Sequence, residues 1–223
     1  MKIGIMQPYF FPYIGYFQLI DSVDLYVNLD HVSFMKRSYM VRNDLKNESR
    51  INLQVNNGSQ NRRCKDVTVN FDNKWSQKME STVSSLYSKE KNYQEIMDLI
   101  FIPCLYEENI SVSDYNINSI IRICEYLNID TKFERSSEGM TEQKKGEGLK
   151  EICRKNNSYF YVNAIGGRSL YDKEDFKKSG IDLYFCKMDE NIEFENPYSS
   201  ILHLLFTYPK DHIKEQIKKY KLI

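Results

Sequence analysis

Apolar positions change period several times along this chain, and the changes mark its elements. Ile3 to Met6 is a short run with the length and β-branched content of a buried strand. Tyr16, Phe17, Leu19 and Ile20 follow at helical spacing, and Val23, Leu25, Val27 and Leu29 then alternate up to Asp30. Strand, tight loop, helix, strand is a βαβ unit, which predicts a parallel sheet with a right-handed crossover. In open α/β sheets ligands sit outside the carboxyl ends of the strands, where the Gln7–Gly15 loop and Asp30 fall.

Residues 31–50 are polar and cationic without a clear period. Ile51, Leu53 and Val55 alternate, as do Val67, Val69 and Phe71, around a turn signal at Asn56–Asn57–Gly58–Ser59. This reads as a β-ribbon inserted at about 33–71. Trp75, Met79, Val83, Leu86 and Tyr87 predict a helix over 73–88. Ile96, Leu99 and Ile100 predict a second, interrupted near Pro103. Ser113–Asp114 reads as the cap of a third, with Ile117, Ile120, Ile121, Cys124 and Leu127 inward. Thr131–Arg135 is a strand ending at Ser136–Ser137, and residues 138–148 form a polar loop into a helix holding Leu149, Ile152 and Cys153. Tyr159–Val162 is a buried strand that runs into Asn163–Ala164–Ile165–Gly166–Gly167. A short helix over Asp172–Lys178 stops at Gly180, a strand covers Ile181–Cys186, and helices over Tyr198–Phe206 and Asp211–Tyr220 close the chain. The pattern predicts a Rossmann-like α/β fold: one doubly wound, mostly parallel domain over 1–223, with a ribbon insertion and a helical C-terminal segment.

Composition narrows the function. Lys+Arg and Asp+Glu balance at 31 each, so net charge favours neither nucleic acid nor a membrane. The five cysteines are scattered with no C-x-x-C, which argues against a zinc site or a disulfide framework. No run has the length of a membrane span and the chain enters directly into a strand, so a reducing cytoplasm is the expected location.

The candidate chemistry lies at the strand ends. Pro8 and Pro12 pre-shape the first loop, and Gly15 permits a close backbone approach at a helix N-terminus suited to an anion. Tyr9, Phe11, Tyr13 and Tyr16 are candidates to stack on a base or sugar, with Phe10 and Phe17 read as core. Gln7, a polar residue directly after a buried strand, is a candidate ligand contact. Asp30 is a candidate general base or hydroxyl binder, with a cap or salt bridge as its alternative. Ser136–Ser137 is a substrate contact or an N-cap. Gly166–Gly167 is either a pyrophosphate cradle or a plain turn. Lys36, Arg37, Arg42, Arg62, Arg63 and Arg168 supply cations for phosphates or for a solvated surface. His203 falls beside the inward face of its helix and is a proton carrier if it faces the site, and otherwise a hydrogen-bonded core residue. His31 is exposed by period.

MQPYFFPYIGYFQLI followed by DLYVNLDHVSF resembles the opening of the WbqC-like proteins of bacterial surface-polysaccharide gene clusters, which carry QP-x-F-x-P-x-x-GYF and D-x-F/Y-V-x-LD. Lys36 and Arg42–Asn43 resemble the family's lysine and RN pair, Ser136–Ser137 its SS step, and Gly166–Gly167 with Leu170–Tyr171 its GG-x-x-LY. His203 departs from it, standing where such proteins more often have aspartate. The resemblance implies nucleotide-sugar tailoring in O-antigen or capsule synthesis: acyl or aminoacyl (glycyl) transfer to the amine of a nucleotide-linked amino sugar. It implies no resident cofactor, a thioester donor on CoA or an acyl carrier protein, and Asp30 or His203 as the catalytic residue. Gln7, Tyr9, Phe11, Gly15, Tyr16, Lys36, Arg42, Asn43, Ser136, Ser137, Asn163, Gly166, Gly167 and Tyr171 would bind substrate. A fainter likeness runs to the HIGH-type nucleotidyltransferases. The two histidines of their first loop are absent here, with Ile14–Gly15–Tyr16 standing where its last Gly-His pair would be, which argues against nucleotidyl transfer. A non-catalytic module that binds a carrier or partner is the reading from a different class. Its sign would be apolar exposure along 198–220 with a shallow, uncharged strand-end cleft.

Overall fold

The computed structural model describes residues 1–106, 110–137 and 146–223. Strand β1 (Lys2–Met6) is central to a six-stranded sheet, and its alternation serves two cores. Ile3 and Ile5 face one layer; Met6 packs on the other. The chain continues through α1 (Ile14–Asp21) to β2 (Leu25–Asn28), parallel to β1 as the pattern predicts.

Two short antiparallel ribbons occupy the insertion instead of one. The strands are β3 (Arg42–Asp44) with β4 (Arg50–Asn52), and β5 (Val55–Asn56) with β6 (Thr68–Val69). The alternating 51–55 segment therefore splits between two partners. Next come α2 (Asn73–Tyr87), α3 (Tyr93–Ile96), a π-helical turn over Met97–Phe101 and α4 (Ile102–Leu105). Pro103 lies in the first turn of α4, where no N–H is required, so it starts a segment where an interruption was expected. Helix α5 (Val112–Leu127) is capped by Ser111, whose Oγ accepts from the Asp114 amide, two residues before the expected cap.

Strand β7 (Lys132–Arg135) pairs with β2, and most of the polar loop expected over 138–148 lies outside the described residues. Then follow α6 (Gly146–Lys155), β8 (Phe160–Ala164), α7 (Lys173–Lys177), β9 (Asp182–Met188), α8 (Ile201–Thr207), α9 (Lys210–Ile217) and β10 (Tyr220–Leu222). The last of these is a strand where the helical pattern had been extended to Tyr220; it pairs antiparallel with β9.

The sheet order is β10-β9-β8-β1-β2-β7, parallel throughout except at β9–β10. On one face Leu149, Ile152 and Cys153 of α6 and Phe176 of α7 pack on Ile5, Val27 and Tyr161. On the other, α1, α5, α8 and α9 join the inserted segment in the larger core. From β1 the chain winds outward through β2 to β7, then returns to β8 on the opposite side of β1. The winding thus reverses between β1 and β8, the position at which open α/β sheets leave a crevice.

Candidate functional site

A cleft of about 330 Å³ opens at that reversal, in the range of small-molecule sites (roughly 300–1,000 Å³). Ile5, Met6, Leu29, Leu149 and Tyr161 form its apolar part, and Gln7, Tyr9, Asn163, Gly166, Gly167 and Tyr171 bring the polar and backbone groups. Six of the residues expected to bind substrate therefore meet in one hollow. Among the described residues no lining side chain carries a formal charge at neutral pH. Burial raises the phenol pKa of Tyr9, Tyr161 and Tyr171, which keeps all three as neutral hydroxyls. The Asn163 amide donates to Tyr161 Oη at 2.8 Å, an i,i+2 pair on one face of β8. A side chain on Gly167 would overlap that amide, so this glycine makes room for Asn163, and Gly166 faces open space. Tyr161 had no part in the expected site; its signal was this period-two relation to Asn163.

The first loop is clamped from three directions. Asn43 is buried, and its amide donates to the carbonyls of Phe10 (3.2 Å) and Phe11 (2.7 Å) while its Oδ1 accepts from the Asp44 amide. Ser200 Oγ donates to the Phe11 carbonyl, and the Ile201 amide to that of Pro12. Phe11 holds φ 42, a strained value for a bulky residue that these constraints impose. Its ring is fully buried against Phe10, Phe101 and Tyr115, so it is core and does not face a ligand. Tyr16 is buried too, its hydroxyl donating to the Gln7 carbonyl at 2.8 Å. Asn43 serves the loop, not the cleft. The group that approaches Gly15 is the ring of Tyr13, which stacks on Tyr198.

Asp30, at 2% exposure, lies past the end of β2. Its carboxylate accepts from Ser136 Oγ (2.9 Å), the Ser137 amide (2.8 Å) and Ser137 Oγ (2.5 Å). Three donors occupy the carboxylate, which ties the end of β7 to the end of β2. Ser136 and Ser137 are thus partners of Asp30. His31 Nδ1 lies 2.5 Å from Ser136 Oγ. A carboxylate only accepts, so the Ser136 hydroxyl proton points to Asp30 and His31 Nδ1 must be the donor to Ser136. This fixes the imidazole tautomer. Alternation placed His31 outward, but the chain turns at Asp30 and re-aims it.

His203 is buried away from the cleft lining. Its Nδ1 is 3.2 Å from Tyr87 Oη and 3.3 Å from Thr207 Oγ1, the ring beside that of Tyr87 on α2, which in turn stacks on Phe206 of α8. Burial lowers its pKa, with Lys46 adding to the shift, so it is a neutral core residue. Lys36 is exposed. Arg42 lies in a second hollow described below. The five cysteines are free and buried, and burial pushes the Cys64, Cys153 and Cys186 thiols up to about 12, which makes them poor nucleophiles. Among the described residues no helix is long and apolar enough to cross a membrane.

These features define an α/β protein with a Rossmann-like, mostly parallel sheet and a neutral cleft at its topological reversal. The profile of the WbqC-like protein family matches residues 7–215, and the chain belongs to that family. It is 26% identical over 216 residues to the uncharacterized protein Rv1507c of Mycobacterium tuberculosis (strain ATCC 25618 / H37Rv), covering 92% of this chain and 93% of that protein. No solved structure matches. The likeness to HIGH-type nucleotidyltransferases is not shown by these comparisons.

Proposed function

We propose that the chain binds a nucleotide-linked amino sugar in the cleft between β1 and β8. It then transfers an acyl or aminoacyl (glycyl) group to the sugar amine, as a cytoplasmic step of O-antigen or capsule assembly. The observation that carries this reading is a cleft both polar and, among the described residues, uncharged: Gln7, Tyr9, Asn163 and Tyr171 offer hydroxyls and amides, and no described carboxylate lines it to hold an ammonium. Phenol and amide groups suit sugar hydroxyls, and aromatic faces suit the apolar side of a pyranose. An ammonium entering such a site loses solvation without gaining a counter-charge, so the neutral, nucleophilic amine is favoured. That amine attacks the carbonyl carbon of a thioester on CoA or a carrier protein. A C–N bond forms and the C–S bond breaks. The proton leaving nitrogen ends on sulfur, giving an amide and a free thiol. Asp30, the residue after Leu29 of the cleft lining, acts at one remove, by holding Ser136 and Ser137, the first of which accepts from His31.

Family membership supports the pathway, and the absent histidine pair of the first loop speaks against nucleotidyl transfer. A partner-binding module meets one of its two signs, the uncharged lining of the cleft, but lacks the other, an apolar exposed face along 198–220. Ile201 to Phe206 are buried, and Tyr198 is the large exposed hydrophobic side chain of the 198–220 segment. Titration calorimetry with uridine- and thymidine-diphosphate amino sugars tests the binding, and mass spectrometry after adding acyl- or glycyl-thioester tests the transfer. The expected result is a saturable heat weakened tenfold or more by Asn163→Ala, and an amide product. No heat with any such sugar would sink the reading.

A further inference from the structure

A second hollow, of about 120 Å³, lies between Arg37 and the β3–β4 ribbon. Three arginines and one carboxylate line it. Arg50 is bidentate to Asp44, Nε at 2.6 Å and the second nitrogen at 3.0 Å, which uses the carboxylate's charge. Arg37 and Arg42 have no such partner among the described residues, and Arg42 is half-buried. Two guanidinium groups line one small hollow whose nearby carboxylate is already taken, which leaves their positive charge for an anion. Planar guanidinium forks match phosphate oxygens in pairs.

This hollow adjoins the neutral cleft. Tyr39 lines it, the Tyr39 carbonyl accepts from the Phe10 amide at 2.8 Å, and the Tyr39 ring lies 5.9 Å from that of Tyr9. Tyr9 in turn lines the cleft. The two hollows share an aromatic wall. The double glycine offers less to a phosphate, because the room beside Gly167 is filled by the Asn163 amide and no cation among the described residues lines that cleft.

We infer that Arg37 and Arg42 bind the phosphate end of the ligand whose sugar occupies the β1–β8 cleft, with Tyr9 and Tyr39 between the two ends. The inference rests on the sugar-nucleotide reading for its ligand but makes its own claim about polarity: sugar at the neutral end, diphosphate at the arginine end. A ligand held this way presents its sugar amine to the cleft and its diphosphate outside it.

The test uses the full chain with inorganic pyrophosphate and, separately, a nucleoside-diphosphate amino sugar as calorimetric probes, on wild type, Arg37→Gln and Arg42→Gln. Each substitution is expected to weaken both probes about tenfold or more, with wild-type affinity falling as salt rises. Arg37 is exposed, so its variant reports on binding without risk to the fold. No pyrophosphate binding by wild type, or unchanged affinity for both probes in the variants, overturns the inference. Arginine-independent binding of the amino sugar overturns it while sparing the sugar cleft. Arginine-dependent pyrophosphate binding with no gain from the attached sugar supports the arginine site and removes the function proposed for the cleft.

Discussion

Replacing Asn43 with aspartate changes one NH₂ into an oxygen, at the place where the first loop is held. Asn43 is 4% exposed and gives its two amide protons to the Phe10 and Phe11 carbonyls. An ionised side chain there would set a carboxylate against both carbonyl oxygens, so the variant avoids the charge by taking a proton. From an unfolded pKa of about 3.9, protonation costs about 1.4 kcal/mol per pH unit. That is about 2 kcal/mol at pH 5.5 and about 5 kcal/mol at pH 7.5. The protonated acid donates once, so one hydrogen bond is also lost, worth about 1 kcal/mol. The introduced carboxyl has its folded pKa raised, so the fold is least harmed below pH 4. The harm grows as pH climbs through the folded value, and it stops growing once the charged form becomes the cheaper one. Urea unfolding at pH 5.5 and 7.5 should give a loss of about 3 kcal/mol, rising by up to about 3 kcal/mol at the higher pH. Asn43→Ala should show a loss that does not vary with pH. Equal losses for Asn43→Asp at both pH values, or a loss under about 1 kcal/mol, would refute the clamp. Binding should weaken alongside stability, because the same loop presents Gln7 and Tyr9 to the cleft.

In ¹⁵N-correlated NMR, His31 should carry its neutral-form proton on Nδ1, and Ser136→Ala should shift the balance toward Nε2; an unchanged spectrum would show that Ser136 does not set the tautomer. Gly15→Ala should displace the Tyr13 ring from Tyr198 yet change stability by less than about 1 kcal/mol, since the helix gain offsets the lost aromatic pair; an undisturbed Tyr13 in a variant structure would contradict this. Burial pushes the Tyr13, Tyr87 and Tyr220 phenols up to about 12, so native stability should be intact below pH 10 and fall between about pH 10 and 12, followed by urea unfolding and by phenolate absorbance. His203 has its pKa lowered by burial, so its neutral form favours the fold at and above pH 7, and that contribution is lost as pH falls from about 6.5, its unfolded value, through the lower folded one. His203→Gln should flatten that limb of the stability curve and leave amino-sugar binding in place.

Periodicity located the scaffold well, and the reasons are visible at single residues. Ile3 and Ile5 are fully buried on one face because a central parallel strand has no solvent side, and Tyr161, Leu183 and Phe185 repeat the pattern next door. The β10 strand escaped because Tyr220, Lys221 and Leu222 continue the polar-apolar texture of α9, and only pairing with β9 makes them a strand. Aromatics misled for a related reason. Phe11 and Tyr16 sit in the motif that announces the site, yet their task is to brace the loop that offers Gln7 and Tyr9.

His31 shows where such reading must stop. Alternation along β2 assigns each side chain a face only while the strand lasts, and β2 ends at Asn28. Three residues later the imidazole meets a serine from β7's far end, a partner 105 positions away that no local period could supply. Asn163 behaves differently because it still lies within β8, and its bond to Tyr161 is a within-strand relation. A strand's last paired residue is therefore the boundary between what period determines and what the meeting of strand ends determines. Ligand clefts of open α/β sheets lie just beyond that boundary. The residues inside it, Ile5, Tyr161 and Asn163, fix the shape of the cleft. Those outside it, His31 and Tyr39, owe their placement to neighbours distant in sequence, and it is on them that the proposed chemistry is most exposed to test.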